Sequence, residues 1–261
     1  MIKHAWSLVF FTVLGQMGAG LYIGHKLILI YNRFFSSEIQ LNSKKILLLS
    51  VILSVLALII SFTHLGNPKN AVFALSNFRN SWLSKEIFFL AIFIGIVLLE
   101  LVFTLWISES TAREITYSAI GIIVSVAFIF SMIKLYQLET VPVWDSNYTF
   151  FNFYNTALLG GLLILLLQNT VRADQSFNYA VLIFVFTQII LFFPFVSSIP
   201  GISYIPLLFY CLILVSCIVD LFGLIPIKGK SLSSILNILF FSFGILFERY
   251  IFYASYKSVG I

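Results

Sequence analysis

The chain has 261 residues, 61% of them hydrophobic and only 10% charged, with a formal net charge of +5. One soluble domain of this length has no way to hide so much apolar surface, whereas a bilayer serves as the interior for the outer face of each helix. No basic run exists to track a phosphate backbone, which excludes a nucleic-acid-binding module, and no composition shift divides residues 1–261, which read as one transmembrane helical domain.

Eight apolar segments follow, each about 18–25 residues long and sufficient to cross the hydrocarbon core. They cover 6–31, 45–63, 87–107, 116–138, 150–168, 179–196, 204–224 and 232–256. The first begins like a secretory signal, with Lys3, an apolar run and then Gly18, Ala19 and Gly20. Its apolar character continues to Tyr31, too far for that reading, so it is expected to be a retained span whose Gly20 and Gly24 allow close helix approach. Two connections have substance, 66–86 and 139–149, and Pro200, Gly201 and Pro206 mark a short turn. Cys211 and Cys217 lie roughly 240° apart around one helix, so they cannot pair with each other. Two thiols are also too few for a four-thiolate iron–sulfur cluster, and both are expected to be small buried hydrophobes.

The expected fold is therefore all-α and integral to the membrane, a bundle of eight transmembrane helices with both termini on the periplasmic side. That orientation leaves Lys26, Arg33, Lys44, Lys45, Arg113, Arg172, Lys228 and Lys230 on the cytoplasmic side. Lys3, Lys69, Arg79, Lys85 and Lys257 lie outside, with Lys134 and Arg249 embedded near them, which the positive-inside rule favours.

Polar side chains in a membrane are costly, so their positions carry information. Glu100 and Asp220 fall near the cytoplasmic helix ends, where they are expected to reach the interface. The outer side is richer: His64 ends the second span, Glu86 opens the third, Lys134 and Glu139 close the fourth, and Glu248 and Arg249 end the eighth, with Trp144 and Asp145 in a loop beside them. Only three histidines exist; His4 and His64 could share a side while His25 lies at the opposite end, and one such pair at the membrane surface is too little to expect haem. Zinc lacks clustered ligands at a recognisable spacing.

Quinol oxidation asks for less: an apolar place for the ring and tail, an acceptor for a hydroxyl, and a route for two protons. A histidine can take a proton as electrons leave and a nearby carboxylate can relay it; His64 and Glu86 bracket one connection and suit those roles. The bland alternatives are that His64 bonds a free helix-end carbonyl or water, and that Glu86 sits in a first turn capped by Ser84, favoured by the helix dipole.

Four stretches add a resemblance: FTVLGQMGAGLYIG from Phe11 to Gly24, HLGNPKNAVFALSNFRNSWLSKEI from His64 to Ile87, LYQLETVPVW from Leu135 to Trp144, and RYIFYASYKSVG from Arg249 to Gly260. Together they resemble the membrane-anchor subunit of dimethyl sulfoxide reductase and its relatives, the DmsC-type family. The likeness is weak from the fifth span through the seventh. It implies a complex of three subunits in the inner membrane of a bacterium. A molybdopterin subunit reduces the terminal acceptor, an iron–sulfur subunit carries electrons, and this chain anchors both and oxidises menaquinol near the outer face without haem. It also implies quinol-binding and proton-relay roles for His64 and Glu86. Protons released and consumed on one side would leave the complex moving no charge across the membrane. The competing readings are a purely structural anchor, an anchor of a related polysulfide- or nitrite-reductase-type complex, and a secondary transporter, which tends to carry inverted repeats and polar groups at the midplane.

Overall fold

The computed structural model describes residues 2–35, 39–63, 77–107, 111–168, 175–197, 204–222 and 230–255, with the backbone alone for residues 2–5, 63, 111, 175, 220–222, 230 and 231. His64, Lys69, Arg172, Pro200, Gly201, Lys228 and Lys257 lie outside the described residues, as do the side chains of Lys3, His4, Asp220 and Lys230. Among the described residues eight helices follow one another: α1 (Ile2–Phe35), α2 (Ser43–Thr63), α3 (Trp82–Trp106), α4 (Thr111–Tyr136), α5 (Asn147–Leu165), α6 (Gln175–Ser197), α7 (Ile205–Phe222) and α8 (Lys230–Ala254). There is no strand among the described residues. Seven of these helices are long and apolar enough to cross a membrane, and α7 is apolar but shorter over its described length. The fold is thus the expected all-α membrane bundle.

Helix α1 is the axis. It packs against α2, α4, α5 and α8, and 78% of its spanning window is buried, against 33–44% for α2, α3, α4, α6 and α8. Its 34 residues extend about 51 Å at about 1.5 Å per residue, well beyond the hydrocarbon core, so its ends reach both interfaces. The reason α1 can sit so deep is its small residues. A Cβ on Gly20 would collide with the Ala157 backbone of α5, and one on Gly161 would collide with Gly20 itself. Backbone meets backbone there, the usual device of helix pairs in lipid. On the α2 side, the Ser50 hydroxyl donates to the Gly18 carbonyl at 2.8 Å. The outward faces carry lipid-facing residues such as Ile123, Ile183 and Ile190.

Three expectations need correction. Ser84 is not the cap of α3: Ser81 is, with extended backbone and its hydroxyl accepting the Ser84 N–H. The helix therefore starts at Trp82, and Glu86 sits past the first turn, where the dipole argument for a capping carboxylate lapses. Cys217 is buried but Cys211 is exposed on the lipid side of α7. Glu100 does not reach the interface; it is 6% exposed and turned into the bundle.

Candidate functional site

Because successive helices run in opposite directions, polar side chains far apart in sequence collect at the two ends of the bundle. At one end are Glu86 of α3, Tyr136 at the close of α4, Trp144 of the following loop, and Arg249, Phe252 and Tyr253 of α8. Glu86 is 0% exposed, and neither carboxyl oxygen has a hydrogen-bond partner among the described residues. It lies within electrostatic reach of the Tyr136 and Tyr253 hydroxyls. Those hydroxyls feel one another, yet that of Tyr136 forms no hydrogen bond of good geometry among the described residues. Tyr253 reaches instead to Thr12 Oγ1 at 3.4 Å.

Arg249 faces the same two tyrosines from α8 and is also 0% exposed. Its Nη2 donates to Gln16 Oε1 at 3.1 Å and Thr156 Oγ1 at 3.4 Å, and its guanidinium lies over the Phe153 ring at 3.9 Å. Nε and Nη1 have no partner among the described residues. Both ionisable groups thus keep unfilled hydrogen-bonding positions in an aromatic surround. A buried polar group left unmade costs about 1–3 kcal/mol, more when charged, so this arrangement fits a polar ligand better than an empty core.

The loop that covers this end is built locally. Val141 N–H bonds the Leu138 carbonyl and Trp144 N–H the Val141 carbonyl, each at 2.8 Å. These turns swing the Trp144 indole inward, where it stacks on Phe252 at 5.2 Å between centroids. Its Nε1 donates to the Phe252 carbonyl at 2.7 Å and Ser255 Oγ at 3.2 Å. The Thr149 hydroxyl ties the start of α5 to the Trp144 carbonyl at 2.7 Å.

Glu248, next in sequence to Arg249, faces a different set of helices. It is 0% exposed and accepts hydrogen bonds from Tyr148 OH at 2.8 Å, from Gln188 Nε2 at 2.9 and 2.8 Å, and from Tyr210 OH. Gln188 is held in turn by Asn152 and Asn155 of α5, at 2.6 and 2.5 Å. α5, α6, α7 and α8 each supply a member, and the carboxylate is saturated.

A third cluster lies at the opposite end. Lys26 of α1 forms an ion pair with Glu100 of α3. Tyr22 donates its hydroxyl to Glu100 Oε2 at 2.8 Å, sharing that proton with the Tyr117 carbonyl at 2.8 Å. Gly121 leaves room for the ring. His25 Nε2 lies 3.0 Å from Ser43 Oγ. None of these groups reaches Glu86.

The sequence expectation therefore separates into parts. Glu86 is placed in the surround just described, together with Trp144 and Arg249; His64 lies outside the described residues. Glu139 and Asp145 are exposed and Lys134 is half-buried, its ammonium 5.8 Å from the Phe130 ring, so none of the three joins the site. Sequence reasoning missed Gln16, Tyr136 and Tyr253. Thr12 and Gln16, four residues apart in an apolar helix, were a readable signal, since such pairs share a face; the tyrosines are too common here to stand out.

Comparison with known proteins agrees with this architecture. The family described as "DMSO reductase anchor subunit (DmsC)" matches residues 1–221. The C component of the anaerobic dimethyl sulfoxide reductase of Haemophilus influenzae is 30% identical over 175 residues, 64% of this chain and 61% of that protein. Its namesake in Escherichia coli is 30% identical over 62% of this chain and 56% of its own length. The C component of the sulfite dehydrogenase of Allochromatium vinosum is 26% identical over 56% and 50%. The chain thus spans between half and three-fifths of the curated relatives it matches, and the family match ends before α8.

Proposed function

The chain belongs to the family of DMSO reductase anchor subunits, and on that premise we propose that it binds and oxidises menaquinol in the surround of Glu86 and passes the electrons to an iron–sulfur subunit docked at that end. The observation that carries the reading is the pair of fully buried groups with unfilled positions among the described residues, Glu86 and Arg249, each within electrostatic reach of Tyr136 and Tyr253. A quinol offers what they lack. One hydroxyl donates to the Glu86 carboxylate, the second oxygen accepts from Arg249 Nε or Nη1, and the aromatic rings of Phe153, Tyr136 and Phe252 surround the planar ring.

The chemistry balances within that set. Quinol loses two electrons and two protons to become quinone; the electrons leave to the partner's cluster, and the protons pass to Glu86 and to His64 and then to water at that surface. Arg249, a permanent cation, stabilises negative charge on the quinol oxygen once its proton has gone and before both electrons have left. The molybdopterin subunit, bound through the iron–sulfur subunit, reduces the terminal acceptor. The membrane is the inner membrane of a bacterium, with this end of the bundle on the periplasmic side.

His64 provides a first test of the assignment. Menaquinol-dependent reductase activity is expected to fall by about 10²-fold in His64→Ala, while activity from an artificial donor that feeds the partner subunits directly stays at the wild-type level. Equal activity with both donors in the variant would remove His64 from the site.

A further inference from the structure

Among the described residues the eight helices pack as two rings of four, α1–α4 and α5–α8, and α1 faces α5 and α8 across the seam. The surround of Glu86 lies on that seam. Thr12, Glu86 and Tyr136 come from the first ring, and Phe153, Arg249 and Tyr253 from the second. Gln16 stands one turn along α1 from Thr12 and is 0% exposed. Its Nε2 donates to the Met132 sulfur of α4 at 3.5 Å, and its Oε1 accepts from Arg249 Nη2 of α8 at 3.1 Å. One amide thus ties the two rings together. Its orientation is set by chemistry: a guanidinium has donors alone, so the amide oxygen must face Arg249 and the N–H groups must turn to the thioether.

The groups that hold Arg249 are uncharged. Besides Gln16, Nη2 reaches Thr156 Oγ1 at 3.4 Å, and the Phe153 ring lies 3.9 Å from the guanidinium carbon. Among the described residues Arg249 forms no ion pair. The neighbouring Glu248 carboxylate is taken up by Tyr148, Gln188 and Tyr210. A buried cation without a partner carboxylate is costly, and a glutamate in place of Gln16 would relieve that cost with a side chain of the same length. The amide does something different: it fixes the guanidinium and leaves the positive charge uncompensated.

Resting on the quinol reading above, we propose that Gln16 is a positioning residue of the oxidation site and acts through Arg249. By accepting from Nη2 it leaves Nε and Nη1, which have no partner among the described residues, as the nitrogens that meet the quinol oxygen. Because it is neutral, it keeps the charge of Arg249 for the oxygen from which the proton departs. Gln16 itself touches no reacting atom. Met132 turns the amide the right way round, and Thr156 supports the same nitrogen from α5.

The test is a double-mutant cycle on the intact complex, with menaquinol KM and kcat measured beside the artificial-donor rate. Gln16→Leu removes the acceptor and should raise the menaquinol KM about fivefold, the range of one hydrogen bond, with the artificial-donor rate retained. Combined with Arg249→Gln, it should add nothing to the rise that Arg249→Gln causes alone. Rises that multiply in the double variant would mean that Gln16 acts independently of Arg249, and would overturn the proposal. Gln16→Glu keeps the acceptor and so carries the test even where Gln16→Leu fails to fold. Its carboxylate offsets the charge of Arg249, so the menaquinol kcat should fall about tenfold, while the melting temperature and the artificial-donor rate stay at wild-type values. Wild-type menaquinol turnover in Gln16→Glu would overturn the proposal. The two readings fail separately: an unchanged KM in Arg249→Gln removes the quinol contact itself, whereas a raised KM there with none in Gln16→Leu removes only the role of Gln16.

Discussion

Glu86 and Glu248 are both wholly buried at the same end of one bundle, but only Glu248 is saturated. Glu248 accepts from two tyrosines and a glutamine drawn from three helices, so four helices meet at its carboxylate. Glu86 has no hydrogen bond at either oxygen among the described residues. In lipid an unsatisfied polar group finds no water to repair the loss, so the two carboxylates cannot be doing the same work. The first is a fastener whose value lies in being complete. The second makes physical sense as half of a site whose other half arrives as a ligand. Arg249 sharpens the contrast. One residue along α8 from the fastener, about 100° around the helix, it turns to α1 and α5 and keeps two of its nitrogens open among the described residues.

The comparison breaks most visibly at the fastener. Glu248→Ala would leave the Tyr148 and Tyr210 hydroxyls without their acceptor, Gln188 Nε2 with Asn152 alone, and the Arg249 charge without its neighbour. A loss on the order of 3 kcal/mol or more is expected, read as a marked fall in the melting temperature of the purified complex, whichever electron donor is assayed. Stability unchanged in that variant would mean that the nest is not a fastener. Arg249→Gln comes next. It should raise the menaquinol KM by about tenfold, in the range of one hydrogen bond to a charged group, with the artificial-donor rate retained; a rise in neither would take Arg249 out of the ligand's reach. The smallest effect belongs to the covering loop. Trp144→Phe keeps the stack on Phe252 but removes the indole N–H, costing about 1 kcal/mol of stability and a melting shift of a few degrees.

The two carboxylates also show how far the sequence carries. Apolar runs place all eight helices, because a span long enough for the bilayer is a strong signal. Their edges move where local chemistry intervenes: Ser81 caps α3 and moves its start to Trp82, five residues before the apolar run at Ile87. Depth was legible as well, since Glu86, Trp144, Glu248 and Arg249 do collect at one end. Rotation was not. Helices that are apolar on nearly every face give no periodic stripe to say which side faces the bundle. Nothing in the sequence therefore joins Tyr22 to Glu100 or Gln188 to Glu248, partners 78 and 60 residues apart, or tells a saturated glutamate from a bare one.

The central claim is that the buried Glu86 carboxyl meets quinol, and Glu86→Gln tests it most directly because it keeps the shape and removes the group that exchanges a proton. Its menaquinol-driven and artificial-donor-driven reductase rates should be measured on the same membranes. The account predicts that the first falls by about 10²-fold while the second and the melting temperature stay at wild-type values. Parallel loss of both rates with a lowered melting temperature would make Glu86 a second fastener, and full retention of the menaquinol rate would place the oxidation site elsewhere.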